Sequence, residues 1–153
     1  MLLIPDIHIT SKYTTHIIHT IKTFVDCYPQ ENNIVFLGDY VYAFNYDRKA
    51  LLQLFELRVS LHHQGKNLYI LAGNHDRIGD QFVYEEAKQS RDIINQYSDH
   101  KIYFITHPCI HQIEGQTIFF VPFVIDPSQL VLPSHHINIT HDHTQKTSPE
   151  MMS

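Results

Sequence analysis

The chain is poor in cysteine. Cys27 and Cys109 are its only two, far apart and without the spacing of a metal-binding pair. That scarcity argues against a disulfide framework and predicts two reduced core thiols in a cytoplasmic protein. A long hydrophobic run is also missing. The N-terminal "MLLIPDIH" has no basic region before it, and its apolar run is too short for a signal peptide or a membrane span, so a soluble protein with no membrane partner is expected. There is no basic tail and no dense Lys/Arg stripe. Eleven basic residues stand against sixteen acidic ones, a net charge of -5, which argues against an unaided, non-specific grip on nucleic acid. Internal repeats and low-complexity segments are absent too. What remains is an ordinary globular composition, long enough for one domain with a real core over residues 1–153. Against these absences stands one excess, thirteen histidines. Histidine is a costly choice for a core and a good one for metals.

Short β-type runs alternate with amphipathic segments. "LLIP" (2–5) predicts a strand, and residues 11–27 predict a helix whose Ile17, Ile18, Ile21, Phe24 and Val25 keep helical spacing. Pro29 and the polar "QENN" break it. "NIVFL" (33–37) is apolar throughout, as a strand buried on both faces should be. Residues 48–63 form the second predicted helix, closed by Gly65, with His62 and His63 as solvated residues at its end. A third strand follows over 68–71 and a third helix over roughly 80–97. Then the rhythm changes. Residues 101–105, 117–123 and 137–140 read as strands with no helix between them. The order βαβαβα then βββ predicts an α/β fold, a layered β-sandwich flanked by helices.

Each of the first three strands ends in residues able to bind metal. Asp6 and His8 follow the first, Gly38-Asp39 the second, and Gly73-Asn74-His75-Asp76 the third. Ligand sites in open α/β sheets lie beyond the carboxyl ends of the strands, so the three groups should converge. Asp6, His8, Asp39 and Asn74 offer hard oxygen and borderline nitrogen donors, a set suited to Mn²⁺, Fe or Zn²⁺. A central carboxylate can bridge two ions about 4 Å apart, and Asp39 is the natural choice. Such a centre attracts phosphate and activates water near neutral pH, while His75, beside Asn74, can protonate a leaving oxygen. Tyr40, Tyr42 and Phe44 follow Asp39 and stand either along a substrate cleft or in the core or its rim.

These three groups, in this order and separated by roughly the length of a βα unit, resemble the calcineurin-like metallophosphoesterases. The resemblance runs from the first strand onward, and Gly-Asn-His-Asp after an apolar strand is its most specific element. It implies a dinuclear centre, most readily of Mn²⁺, held by Asp6, His8, Asp39 and Asn74. It also implies a catalytic His75 oriented by Asp76.

The family further needs a lone histidine after a later strand, and then a His-x-His normally preceded by glycine. Two assignments compete. Either His107 is the lone histidine with His141-x-His143 as the pair, or His141 is the lone histidine and the pair is missing. The second is favoured. Residues 101–130 resemble the DNA-repair exonuclease branch, in which a strand runs into a proline, a glycine-containing hairpin follows, and the next strand ends in Pro-Phe or Pro-Tyr. Thr140 also occupies the position where a terminal pair would want glycine. His141 is then the fifth metal ligand, and the chain is expected to stop short of its last ligands. His135 and His136 have no partner spacing.

The reading implied is a metal-dependent phosphoesterase acting on a phosphomonoester or phosphodiester. A nuclease-like substrate would be held with the help of a partner subunit, since the chain's own charge is acidic. The alternative is an inactive or partner-dependent metallophosphoesterase-like fragment with an incomplete site.

Overall fold

A computed structural model describes residues 1–5, 7–10, 12–40, 48–78, 81–82, 88–123 and 137–141. Four parallel strands form the first sheet in the order β1-β2-β3-β6. They are β1 (Leu2–Ile4), β2 (Asn33–Phe36), β3 (Asn67–Leu71) and β6 (Ile102–Ile105). Helices α1 (Thr14–Asp26), α2 (Arg48–His63) and α3 (Lys88–Tyr97) fall between successive strands of this sheet. Between β3 and α3 the two short strands β4 (Arg77–Ile78) and β5 (Gln81–Phe82) pair antiparallel.

The alternation of side chains along each strand sorts the core into two layers. Ile34 and Phe36 of β2 and Leu68 and Ile70 of β3 face the helices. There they meet Ile21 and Val25 of α1 and Leu54, Leu57 and Leu61 of α2. Val35, Tyr69 and Leu71 point the other way, onto Ile113, Ile118, Phe120 and Ile139. Those residues belong to a second sheet built from β7 (Cys109–Ile113), β8 (Gln116–Val121) and β9 (Ile137–Thr140). A sheet covered on both faces explains why β2 and β3 are apolar at nearly every position. The layered α/β sandwich expected from the sequence is the fold observed.

Several details differ from the sequence reading. Four strands follow α3 rather than three, because the arm 109–113 is a full strand. Its inward positions are Cys109, His111 and Ile113, a pattern that hides the usual apolar alternation. The third helix begins at Lys88, since 81–82 are spent pairing with 77–78. His62 is not solvated. It is 6% exposed, and its Nε2 donates to the carbonyl oxygen of His100 at 2.8 Å, because the end of α2 packs against the approach to β6. His63 is exposed as expected. Cys27 lies on the surface rather than in the core, and Cys109 is half-buried.

The outer edge of β6 is blunted by a side chain. Asn95 of α3 accepts from the Ile102 amide through Oδ1 and donates to the Ile102 carbonyl through Nδ2, each at 2.7 Å, so it imitates a strand partner. Lys101 reaches back to the Asn95 and Ser98 carbonyls at the end of α3, where a cation complements the helix terminus. The hairpin between β7 and β8 turns on Glu114-Gly115, both at positive φ (54° and 78°), as a two-residue turn matched to strand twist requires. No helix among the described residues is long and apolar enough to cross a membrane.

Candidate metal centre

The parallel register brings the ends of β1, β2 and β3 to one edge of the first sheet. Past these ends the chain leaves regular geometry. His8 (φ 43°) and Asp39 (φ 50°) are two of only three non-glycine residues at positive φ among those described. Left-handed backbone disfavours side chains with a Cβ, and its concentration here marks a place where the surroundings over-determine the conformation. The amides of His8 and Ile9 donate to the carbonyls of Asp39 and Tyr40 at 2.9 and 2.7 Å, which carries the β1–β2 pairing into the loops.

Asp39 is almost wholly buried. Its Oδ1 accepts the His75 amide at 2.9 Å, and its Oδ2 lies 3.4 Å from His141 Nε2. Burial alone would raise this carboxyl. A protonated His141 ring, which can donate to it, and the His75 amide overcome that and hold it below the usual aspartate range. Asn74 meets the same imidazole, its Oδ1 2.9 Å from His141 Nε2. His75 presents its ring edge-on to His8 with centroids 5.6 Å apart. Asp39, Asn74 and His141 therefore form one contact group, with His8 and His75 paired beside it.

His141 comes from the other sheet. Strand β9 lies parallel to β8, and the pairing runs on through the His141 amide to the Val121 carbonyl. The imidazole crosses to the first sheet and is 5% exposed there. Its Nδ1 lies 3.0 Å from the Leu37 carbonyl oxygen. A carbonyl can only accept, so Nδ1 carries the hydrogen and donates, and in the neutral ring Nε2 is left with its lone pair towards Asp39 and Asn74. A ring whose other N–H is held by a backbone carbonyl is the usual arrangement of a metal-bound histidine.

The Asn74 amide tests the fit further. With its oxygen towards His141, the carboxylate, amide oxygen and imidazole nitrogen all turn lone pairs to a common point, which repels unless a cation lies between. Turned over, the amide nitrogen donates to His141 Nε2 at 2.9 Å and to the Asp39 oxygens at 3.3 and 3.2 Å. The second orientation satisfies the metal-free chain, and the first suits a divalent ion. The donor set of carboxylate, amide oxygen and imidazole fits such an ion. No group of three or more His, Cys, Asp or Glu is gathered for a metal among the described residues. The trio holds two such residues and an amide, and Asp6 lies outside the described residues.

Two glycines make the crowding possible. Gly38, at φ 102°, would place a Cβ 2.7 Å from His141 Nδ1, and one on Gly73 would collide with the Asp39 carboxylate and its amide nitrogen.

Asp76 is fully buried beneath these loops. Its Oδ2 accepts the amides of Asp39 and Gly73, both at 2.8 Å, and its Oδ1 accepts the Tyr40 amide at 2.7 Å. Burial pushes its carboxyl up to about 6, against the Gly73 and Tyr40 amides, with the charge of Asp39 adding to the rise and Arg58 opposing it.

Other expectations fall differently. Tyr40 takes the core place of its two alternatives. It is completely buried, and its hydroxyl accepts the Gly38 amide at 3.0 Å and lies 2.8 and 2.7 Å from the Phe36 and Leu71 carbonyl oxygens. His107 is exposed, bonded to the neighbouring Thr106 hydroxyl at 3.0 Å, in a groove of about 320 Å³ with Arg91, Tyr103 and His111. Of the two later histidines, His141 is the one that reaches Asp39 and Asn74. Tyr42, Phe44, His135, His136 and His143 lie outside the described residues. Sequence reasoning missed Arg58. This buried guanidinium sits over the Tyr40 ring at 4.3 Å and the Phe36 ring at 5.0 Å. Its signal was present, a lone arginine on the apolar face of α2 that carries Leu54, Leu57 and Leu61.

The family model described as calcineurin-like phosphoesterase matches residues 1–148. The chain belongs to that family. Members of this calcineurin-like family bind divalent metal ions and act on phosphate esters. No curated protein matches the chain. Among solved structures it is similar to that of the protein of unknown function AQ665 from Aquifex aeolicus, at 20% identity and a TM-score of 0.33. The match covers 77% of this calcineurin-like chain and 57% of that one, so it spans little more than half of that protein's length.

Proposed function

We propose that the chain is a metal-dependent phosphoesterase whose divalent ions are held by Asp6, His8, Asp39, Asn74 and His141. The observation that carries this reading is the His141 imidazole, held through Nδ1 by Leu37 with Nε2 turned to Asp39 and Asn74. Two ions, Mn²⁺ in the first place and Fe or Zn²⁺ as alternatives, would supply Lewis-acid activation of water and charge for the phosphoryl oxygens. Asp39 is an anion at neutral pH, its Oδ1 accepting the His75 amide, so it serves as the central anionic ligand. His75, which flanks Asn74, protonates the leaving oxygen or steadies charge on the phosphoryl group.

The substrate class is a phosphomonoester or phosphodiester. The resemblance of residues 101–130 to the DNA-repair exonuclease branch favours a diester of the nucleic-acid type, and the net charge of -5 assigns most of the phosphate-backbone grip to a partner subunit. A second reading, a site completed by a partner or holding one ion only, is favoured by the compactness of the Asp39, Asn74 and His141 trio, three donors at one point.

Hydrolysis of a chromogenic bis-aryl phosphate with Mn²⁺, alongside Asp39→Ala and His75→Ala, tests the enzyme reading. Metal-dependent turnover lost in both variants is the expected result. No turnover, or turnover indifferent to Asp39→Ala, refutes it. Elemental analysis separates the two readings, two ions per chain for the dinuclear centre and one for the other.

A further inference from the structure

We infer that Asp76 is a positioning residue, whose carboxylate holds the backbone on which the metal-binding side chains of two other loops stand; this rests on the metal-binding reading above. Its two oxygens accept three backbone amides. Those of Asp39 and Tyr40 lie in the loop after β2, and that of Gly73 lies in its own loop after β3. Asp39 returns the contact, accepting the amide of His75 from the Asp76 loop. The two loops are thus cross-tied, each carboxylate bound to main chain of the other.

The tie extends to the third loop. The peptide units whose N–H groups Asp76 holds, those of Asp39 and Tyr40, belong to residues whose carbonyls take the amides of His8 and Ile9. One buried carboxylate therefore fixes the left-handed residue Asp39 and, through it, left-handed His8. Left-handed backbone is sparsely populated even by Asp and His, which tolerate it better than most residue types, and these bonds hold it before any ion arrives. The guanidinium of Arg58, over the ring of Tyr40, lies within electrostatic reach and favours the anion. The carboxylate works through Asp39 and His8, in addition to whatever it does for His75. The site is thereby preorganised in the metal-free chain.

The test uses the metal-free, isotopically labelled protein and the Asp76→Asn variant. An asparagine can keep its oxygen towards Asp39 and Gly73, but it turns an NH₂ group onto the Tyr40 amide. In the unmodified chain, through-hydrogen-bond couplings should join the amide nitrogens of Asp39, Tyr40 and Gly73 to the Asp76 carboxyl carbon. In the variant the Asp39 and Tyr40 amides should exchange at least about tenfold faster, while the amides of Val35 and Ile70 in the strands stay protected. Mn²⁺ affinity should fall about 10- to 100-fold, the loss typical of outer-shell partners. Absent couplings overturn the inference, and they decide it even where the variant fails to fold. Unchanged exchange at Asp39 and Tyr40 overturns it too, as does unchanged Mn²⁺ affinity in the variant. Faster exchange spread evenly over the strands reduces Asp76 to a general stability residue and equally overturns it. If the unmodified chain binds no Mn²⁺, the phosphoesterase reading falls, and couplings and exchange still decide whether Asp76 fixes the loops.

Discussion

The Nδ1–H of His141 donates to the Leu37 carbonyl across 104 positions of sequence. That bond joins the last described residue to the end of β2 and sets which ring nitrogen faces the cluster. His141→Ala should therefore lower Mn²⁺ affinity by more than about tenfold, the lower bound for losing even an outer-shell partner. Isothermal titration of Mn²⁺ into both proteins checks it. Equal affinities would remove His141 from the ligand set.

Gly73→Ala should be among the most damaging single-methyl changes in the chain. The new Cβ meets the carboxylate and amide nitrogen of Asp39. The nitrogen is main chain and is itself bonded to Asp76, so it cannot swing aside. Overpacking of this kind costs about 1–3 kcal/mol or more. The expected outcome is a lower denaturation midpoint together with lost metal binding. A variant as stable and as metal-competent as the parent would mean that the two loops are looser than described.

His111 predicts a pH dependence unrelated to the metal. Burial lowers its pKa from the ordinary 6.5, as its ring stands edge-on against Tyr69, Tyr103 and Phe120. The folded chain then binds this proton less readily than the unfolded chain. The contribution is intact above about pH 6.5 and is lost as pH falls below it towards the lowered folded value. Between pH 5 and 8 the parent's denaturant midpoint should fall on the acid side relative to that of His111→Phe. The raised Asp76 carboxyl, which acts in the opposite sense below about pH 6, is common to both. Parallel curves would show that the imidazole keeps its ordinary affinity for protons.

Gly115→Ala isolates a backbone effect. Gly115 sits at φ 78°, and a Cβ there meets nothing within 4 Å. Only the left-handed conformation is penalised, at about 1–2 kcal/mol. Equilibrium unfolding should show a loss of that size with no change in Mn²⁺ affinity, since the turn belongs to the β7–β8 hairpin rather than to the loops of Asp39 and Asn74. A loss well above that range would point to a contact beyond the turn itself.

Much of the candidate centre was legible in the sequence, because its signals are local. Asp39 and Asn74 each follow an apolar strand directly, and Gly38 and Gly73 announce the tight turns that aim them. The apolar run of β2 likewise announced a strand covered on both faces. The later histidines were harder. His107 and His141 have the same local context, a histidine leaving an apolar strand, and only the resemblance of residues 101–130 and the identity of Thr140 favoured His141. The sheet that each strand joins does separate them. β6 is the edge of the first sheet and leaves His107 exposed, while β9 pairs with β8 and carries His141 across to Leu37. His62 was misread for the same reason, and Tyr40 was left open between cleft and core, since their burial comes from segments 38 and 31 residues away.

By itself the sequence determined the strand and helix alternation, the layered class and the three groups of metal-competent residues at strand ends, since periodicity and turn chemistry act over a few residues. Only the tertiary structure decided which late histidine meets Asp39, and that Asp76 holds two loops by their amides. Those contacts depend on strand register and on buried main-chain groups finding acceptors, and neither is encoded in the identity of adjacent residues.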